Sequence, residues 1–246
     1  MIDTQQRVYA RELIDGDDFD QEEYQTMLRQ LDLINQLSRG YSPTLKALAG
    51  IVAKNPGRKL RILDIGFGHG DTLRAIRTWA DRRDLDLELT GVDLNPRAAE
   101  IARKATPSEM RIEYKTSDVF DLATGGDSDK RYDVMINALF MHHLDDDQIV
   151  RLLAWMTEQA GLAWFINDLH RHPIAYHFIK HATRLAGFNR LIRNDAPLSV
   201  ARSFSSDDWR MYAQQARVPQ HSLQVRWHFP FRYGVLCDTV KARTLK

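Results

Sequence analysis

A glycine-rich turn is the first feature of this sequence that could do chemistry. Gly66, Gly68 and Gly70 are spaced GxGxG directly after an apolar run at 61–65. Glycine tolerates positive φ and lets a ligand approach the backbone, so such turns bind dinucleotides, phosphates or S-adenosylmethionine (SAM). A dinucleotide fingerprint would read GxGxxG and a phosphate loop would end in GK[ST], and this turn has neither pattern. The spacing alone favours SAM over a dinucleotide or a phosphate.

Two carboxylates follow the next two predicted strands. Asp93 ends the strand predicted at 87–93, where it could accept hydrogen bonds from ribose hydroxyls, and Asp118 ends the strand predicted at 111–118, within reach of an adenine edge. Because the carboxyl ends of parallel strands meet at one edge of a sheet, both should lie beside the glycine turn. The sequence therefore predicts one crevice with room for a nucleoside.

Three histidines follow later strands and could move a proton. His142 and His143 come after the strand predicted at 132–139, and His170 follows the strand predicted at 162–168. The pKa range of histidine suits removal of a proton from a hydroxyl acceptor. We expect His142 or His143 to be a general base, with His170 as a second candidate. Each of them could instead brace its loop or cap the next helix.

Alternating strands and helices must position these residues. Strands are predicted at 61–65, 87–93, 111–118, 132–139 and 162–168, followed by an antiparallel pair at 223–229 and 233–240. Two helices precede the first strand, and 189–204 is predicted to be a basic connection. This pattern predicts an α/β fold, a doubly wound Rossmann-like sheet of seven strands. We divide the chain into an N-terminal helical cap at 1–57 and a SAM-binding domain at 58–246.

Composition excludes several classes of protein. The chain has 246 residues, 43% of them hydrophobic, and a net charge of +1, which gives no overall basic footprint for binding the phosphate backbone of a nucleic acid. Its single cysteine, Cys237, rules out a disulfide framework and a thiolate zinc site. The polar start lacks a leader pattern, and no run of about 18 apolar residues follows. We therefore expect a cytoplasmic protein with no transmembrane segment.

One helix pattern could hold a metal. His177 and His181 stand four apart in a helix predicted from 173 to about 186, but they share a polar face with Lys180 and Arg184. The apolar residues are predicted to pack inward on the opposite face: Ile174, Phe178, Ala182 and Leu185. We expect no metal site.

At the level of motifs, the chain resembles the class I SAM-dependent methyltransferases. The stretches similar to their successive motifs are LDIGFGHGD, GVDLNP, TSDVFDL and YDVMINALFMHHLDDDQIVRLL. The resemblance covers about residues 58–240 and implies SAM as cofactor and S-adenosylhomocysteine (SAH) as product. No DPPY-like motif follows the fourth strand, which disfavours methylation of an exocyclic DNA-base or glutamine amine.

The resemblance also implies roles for individual residues. The glycines would face the methionine and ribose of SAM, Asp64 would support the turn and the methionine amine, Asp93 would hold the ribose, and Asp118 with Val119 would flank the adenine. Further expected cofactor contacts are Phe67, Leu94 and Asn137. Expected acceptor contacts are Phe140, Met141, Asn167 and Arg171, the last of which could bind a carboxylate or only fix its loop.

A looser resemblance concerns the acceptor. NDLHRHPIAYHFIKHATRL and DAPLSVARSFSSDDW are similar to a bacterial subgroup associated with polyketide, phenolic and pigment pathways. This implies a small aromatic or polyketide-like acceptor methylated at a hydroxyl oxygen. Methylation of carbon on an activated ring or quinone precursor, and a non-catalytic partner protein that keeps the SAM fold, remain alternatives. A carrier protein or a homodimer also stays open.

Overall fold

The computed structural model describes residues 6–16, 19–123 and 131–244, and within them seven strands form one sheet. The strands are β1 (Leu60–Ile65), β2 (Leu87–Asp93), β3 (Ile112–Thr116), β4 (Val134–Ala138), β5 (Ala163–Leu169), β6 (Leu223–His228) and β7 (Arg232–Asp238). Their order is β3-β2-β1-β4-β5-β7-β6; β7 runs antiparallel to both β5 and β6, and the other neighbouring strands run parallel to each other. The predicted doubly wound, seven-stranded sheet is confirmed.

Helices cover both faces of this sheet. They are α1 (Gln21–Leu37), α2 (Ser42–Lys54), α3 (Asp71–Asp81), α4 (Pro96–Ala105), α5 (Asp146–Gln159), α6 (Pro173–Leu185), α7 (Arg190–Arg202), α8 (Ser206–Gln215) and α9 (Thr239–Arg243). Asp145 and Gln148 form a reciprocal capping box at the start of α5. None of the helices among the described residues is long and apolar enough to cross a membrane.

The strands carry apolar side chains on both faces, which is why two helical layers form. Along β1, Leu60 and Ile62 belong to a cluster with residues of α2, α3 and α4, whereas Leu63 and Ile65 belong to a second cluster with residues of α5, α8 and α9. Side chains in a strand alternate between faces, so each cluster lies on one side of the sheet. The helices cover the faces of the sheet but not the carboxyl ends of its strands, and the candidate site lies at this carboxyl edge.

The predicted connection at 189–204 is wrong, because most of it forms α7. Asn189 caps this helix by accepting a hydrogen bond from the backbone N–H of Ile192 at 3.0 Å. Its buried side chains recur at helical spacing: Leu191, Ile192, Asp195, Leu198, Ala201 and Arg202. The arginines and Pro197 in the helix interior concealed this period in the sequence. Residues of α7 form one wall of the cavity described below.

The predicted orientation of α6 is also wrong. Ile174, Phe178 and Leu185 are 62%, 68% and 89% exposed, although we expected them to pack inward. The helix instead buries Ala175 and Tyr176, which pack against residues of α7. This short helix thus has two apolar arcs, and helical period alone could not tell which one faces the protein.

A further group of residues covers the carboxyl edge of the sheet, apart from the helices on its two faces. It consists of N-terminal residues, α1 and α7, and is called the helical layer below. Met27 of α1 packs against Leu191 and Ile192. The backbone N–H groups of Leu13 and Ile14 donate to the Asp195 carboxylate at 2.9 and 3.0 Å. A partly enclosed space therefore forms between this layer and the sheet.

Candidate active site

The glycine turn after β1 has the geometry of a ligand cradle. Gly66, Gly68 and Gly70 have φ of 72°, 52° and 73°, which favour glycine. The Gly68 N–H donates to one carboxylate oxygen of Asp93 at 3.0 Å, and the Asn95 N–H donates to the other at 2.9 Å. Asp93 thereby ties the turn to the end of β2.

A crevice of about 150 Å³ opens beside this turn. Its lining includes half of the expected cofactor contacts, which come from three strand ends: Gly66, Asp93, Leu94, Asp118 and Val119. Phe140 lines the same crevice, although it was expected to contact the acceptor. A Cβ atom added at Gly66 would collide with the Phe140 ring, so only glycine fits at this position.

A buried carboxylate beneath the turn fits the amino end of SAM. The Oδ1 atom of Asp64 is buried without a hydrogen-bond partner among the described residues. Burial raises the pKa of Asp64 well above its ordinary value, and the nearby carboxylates of Asp71 and Asp93 raise it further. A ligand that brings a donor to this oxygen relieves the cost of burying it. The residues present therefore fit SAM.

Two expected cofactor contacts turn their side chains elsewhere. The Phe67 ring is buried against Tyr114, with ring centroids 4.9 Å apart. Asn137 is buried, and its amide donates to the Met156 sulfur at 3.9 Å. Neither of these side chains lines the crevice.

A second cavity of about 210 Å³ lies between the sheet edge and the helical layer. Its walls are mainly apolar, with Met27, Leu31 and Ile34 from α1 and Ile192 and Val200 from α7. Polar side chains on its lining include Glu12, His142, His143, Asp195 and Arg232. Such a mixture suits a small apolar ligand that presents a few polar groups.

His142 carries the strongest catalytic geometry in this cavity. Its Nδ1 atom lies 2.8 Å from Oδ1 of Asp168, and both side chains are buried. Burial alone would raise the pKa of Asp168, but the adjacent His142 ring and the Leu169 N–H hold it below its ordinary value. An ionised Asp168 fixes the tautomer with hydrogen on Nδ1, so Nε2 is left to accept a proton.

Glu12 and His143 lie beside this pair. Glu12 Oε2 is 3.7 Å from His143 Nδ1, while Glu12 Oε1 accepts from the Ser199 hydroxyl at 2.9 Å and lies 3.7 Å from Arg202 Nε. Burial raises the pKa of Glu12 to about 7, and these neighbours limit the rise.

These groups also meet the distance test for a metal site. Ligand atoms of Glu12, His142 and His143 lie within 4.8 Å of one another. The carboxylate, however, is already engaged by Arg202 and Ser199, and a guanidinium beside a ligand disfavours a cation. We therefore treat the cluster as a proton-handling network.

Two arginines fix the turn that carries the histidines. Arg202 donates to the carbonyl oxygens of His142 and His143, each at 3.0 Å. Arg7 donates to the carbonyl of Leu144 at 2.7 Å. Because α7 and the N-terminal segment supply these donors, the helical layer also positions the histidines.

His170 is not brought into the cavity lining. Its Nδ1 atom accepts a hydrogen bond from the Trp227 indole at 3.2 Å. Burial, together with the charges of His172 and Arg171, lowers the pKa of His170 to about 4. The ring therefore braces the β6–β7 hairpin.

Three expected acceptor contacts also have structural partners. Arg171 forms an ion pair with Asp208 at 2.8 Å, and Asn167 donates to the Gly40 carbonyl at 2.8 Å. Met141 is fully buried in the core beneath the turn. These side chains support the walls of the site and do not line the second cavity.

Reasoning from sequence missed Glu12 and Arg232 as site residues, and it placed Asp168 at the carboxyl edge of the fifth strand without assigning it a role. Glu12 precedes the first predicted helix and carries no local signal. Asp168 ends β5, and that position was its only signal. Arg232 opens β7, and nothing in its neighbourhood distinguishes it from a surface arginine.

The comparisons with known proteins agree with this architecture. Residues 62–159 match the family model described as a methyltransferase domain. No curated protein matches the chain in sequence.

Solved structures share the fold at low sequence identity. The plantazolicin methyltransferase BpumL with SAH is 15% identical, with a TM-score of 0.61 over 90% of this chain and 91% of that one. Human N-acetylserotonin methyltransferase with SAM is 15% identical, with a TM-score of 0.60 over 94% and 60%. Magnesium protoporphyrin IX methyltransferase from Synechocystis PCC 6803 with SAH is 12% identical, with a TM-score of 0.53 over 82% and 83%.

Proposed function

We propose, on the premise that this chain is a SAM-dependent methyltransferase with the class I fold, that it methylates a hydroxyl oxygen of a small, largely apolar acceptor. An aromatic or polyketide-like skeleton is the acceptor class that we expect. The acceptor would bind in the cavity between α1, α7 and the sheet edge, and SAM would bind in the crevice beside Gly66 and Asp93.

The observation that carries this proposal is the pair formed by His142 and Asp168. A buried carboxylate at 2.8 Å orients an imidazole that lines an apolar cavity. A residue that only braced a loop would not need a fixed tautomer with one ring nitrogen left to accept. The pair supports acid–base work on a bound hydroxyl.

The reaction requires a group that accepts the hydroxyl proton, and it requires alignment of the acceptor oxygen with the methyl group of SAM. SAM supplies a methyl group on a sulfonium, so its transfer to oxygen forms a C–O bond, breaks a C–S bond and leaves SAH. His142 Nε2 takes the proton of the acceptor hydroxyl. Asp168 stabilises the imidazolium that results, because its negative charge lies beside Nδ1.

The cavity walls supply the remaining requirements. The apolar side chains of α1 and α7 exclude water and orient an apolar acceptor with its hydroxyl toward the sheet edge. Phe140 and Leu144, which flank the two histidines in sequence, line the proposed cofactor crevice, so the histidine turn lies beside it. Neighbouring sites of this kind suit direct transfer between two ligands.

The experiment begins with binding and continues with transfer. Calorimetry should give a SAH affinity well above that for NAD, and Asp93→Ala should weaken SAH binding about tenfold or more, since hydrogen bonds to a charged group contribute roughly 1.5–3 kcal/mol. Glu100→Ala, an exposed carboxylate on α4, is the matched control. Transfer of labelled methyl from SAM is then measured on a panel of phenols and polyketide intermediates. Equal SAH and NAD affinities, or no transfer to any of these acceptors, would contradict the proposal.

Carbon methylation of an activated ring would use the same base. The two outcomes differ in the product, since an O-methyl product is an ether and a C-methyl product keeps its phenol. Mass spectrometry and NMR of the product separate them.

A further inference from the structure

Arg232 places a guanidinium in the wall of the apolar cavity. It is the first residue of β7, is only 4% exposed, and lines the same space as His142. Its backbone pairs with Leu169, the residue that follows Asp168 on β5. The guanidinium and the His142–Asp168 pair therefore belong to one edge of the cavity.

The carboxylates of Asp168 and Asp71 interact with the charge of Arg232, but neither of them contacts its guanidinium directly. Its Nη2 atom donates to the Asn35 side-chain oxygen at 2.9 Å, and this is its one side-chain hydrogen bond among the described residues. No carboxylate in that part of the chain forms an ion pair with it, whereas buried Arg171 is paired with Asp208 at 2.8 Å. Burying an arginine costs free energy unless an anion meets it, so the arrangement needs an explanation.

The other acidic groups of the cavity are already engaged. Glu12 is held by Ser199 and Arg202, and the two oxygens of Asp195 accept from the backbone of Leu13 and Ile14. Asp168 and Asp71 attract the Arg232 guanidinium without forming an ion pair with it, so direct contact with a carboxylate is left to a ligand.

We propose that Arg232 binds a carboxylate of the methyl acceptor, which makes the substrate a hydroxylated carboxylic acid with an apolar body. This inference rests on the proposed function, because it assigns a second group of the same acceptor. A planar guanidinium can meet a carboxylate with two parallel hydrogen bonds, which gives both strength and orientation. The carboxylate would then hold the acceptor at the sheet edge, near His142, with its apolar body directed toward α1 and α7.

A second source of the same chemistry is the carboxylate of SAM itself. Two observations favour the acceptor. Arg232 lines the apolar cavity with His142, and it does not line the crevice that contains Gly66 and Asp93. The affinity of the protein for SAH separates these sources directly.

The test compares two probes that differ only in the carboxylate, 6-heptylsalicylate and 3-heptylphenol. Their affinities are measured by calorimetry on the full chain with saturating SAH, so no turnover is needed. We expect the salicylate to bind about tenfold or more tightly, because its carboxylate can form charge-assisted hydrogen bonds with the Arg232 guanidinium. Arg232→Met should reduce this ratio to about one, and Arg232→Lys should retain part of it.

Controls make the outcome specific. Arg226→Met alters an exposed arginine on the neighbouring strand and should leave the ratio unchanged. Thermal melting shows whether each variant folds, and Arg232→Lys keeps the test usable if the methionine variant does not. Equal affinities of the two probes for the wild type would overturn the inference. So would an Arg232→Lys or Arg232→Met protein that loses SAH affinity but keeps the probe ratio, because the anion would then belong to the cofactor.

Failure of the carboxylate site and failure of the proposed reaction give different results. If SAH binds and the salicylate preference is present but no methyl is transferred, the proposed function fails and the carboxylate site stands. If methyl transfer occurs with no preference between the probes, the carboxylate site fails alone.

Discussion

The Nδ1 atom of His142 lies 2.8 Å from Oδ1 of Asp168, in a site where both side chains are buried. The histidine comes from the turn after β4 and the carboxylate from the end of β5, so the parallel order of these strands creates the pair. The sheet edge thus orients the imidazole before any acceptor arrives.

Asp168→Asn should slow methyl transfer about 100-fold while leaving SAH affinity within about twofold. The amide keeps the size of the side chain but does not stabilise an imidazolium, and general acid–base catalysis is typically worth 10²–10⁴-fold. Turnover and SAH calorimetry on the same preparation measure the two effects. His142→Ala should cause a similar loss.

His170→Ala is the matched control for this pair. Its ring nitrogen is occupied by Trp227 and its pKa is lowered to about 4 by burial and by neighbouring positive charge, so turnover should stay near the wild-type rate. If His170→Ala removes activity and His142→Ala does not, the assignment of the base is wrong.

Gly66→Ala should reduce SAH affinity more than tenfold, and Gly57→Ala should not. Both glycines have φ near 70°, so both substitutions carry a backbone cost of about 1–2 kcal/mol. Only at Gly66 would the new methyl group collide with Phe140 in the crevice, whereas the space around Gly57 is open. Equal losses of affinity in the two variants would show that backbone strain alone explains the effect.

Glu12→Gln should change how stability depends on pH. The pKa of Glu12 rises to about 7 on folding, mainly through burial, so its stabilising contribution is complete below the ordinary carboxyl pKa and is lost as pH rises through 7. Between pH 5 and pH 8 the wild type should therefore lose roughly 2 kcal/mol relative to Glu12→Gln, at 1.36 kcal/mol per pKa unit. Urea unfolding at both pH values measures this difference, and parallel pH profiles of the two proteins would count against it.

Removal of divalent metal should leave methyl transfer unchanged. Glu12, His142 and His143 are close enough for a metal, but Arg202 already accompanies the carboxylate. Dialysis against a chelator, followed by turnover with and without added Mg²⁺ or Zn²⁺, checks this. Activity that is lost on chelation and restored by one cation would identify the cluster as a metal centre.

The parts of the site that follow directly from strand order were predictable from sequence. Gly66, Asp93 and Asp118 lie at the ends of β1, β2 and β3, and the switch in strand order beside β1 brings such ends together. The motifs also indicated His142, because the turn after β4 lies at the same edge.

The acceptor cavity could not be predicted in the same way. Its walls come from α7 and from the segment around Glu12, far apart in sequence, and Arg232 reaches it from a hairpin. A buried charged residue such as Arg232 does not stand out in the hydrophobicity pattern of the sequence. The exposed apolar face of α6 has the same helical spacing as a buried face, so the pattern does not distinguish them. Residues whose role depends on long-range packing were therefore missed. Arg171 and Asn167 were predicted to contact the acceptor, but in the structure Arg171 pairs with Asp208 and Asn167 donates to the Gly40 carbonyl.

The most direct test of the account is the fate of a ¹³C-labelled methyl group from SAM, followed by NMR with hydroxyaryl acceptors. We predict a labelled methoxy carbon in the product of the wild type and a signal about 100-fold weaker for His142→Ala at equal SAH occupancy. Label on a ring carbon, or equal methoxy yields from the two proteins, would contradict it.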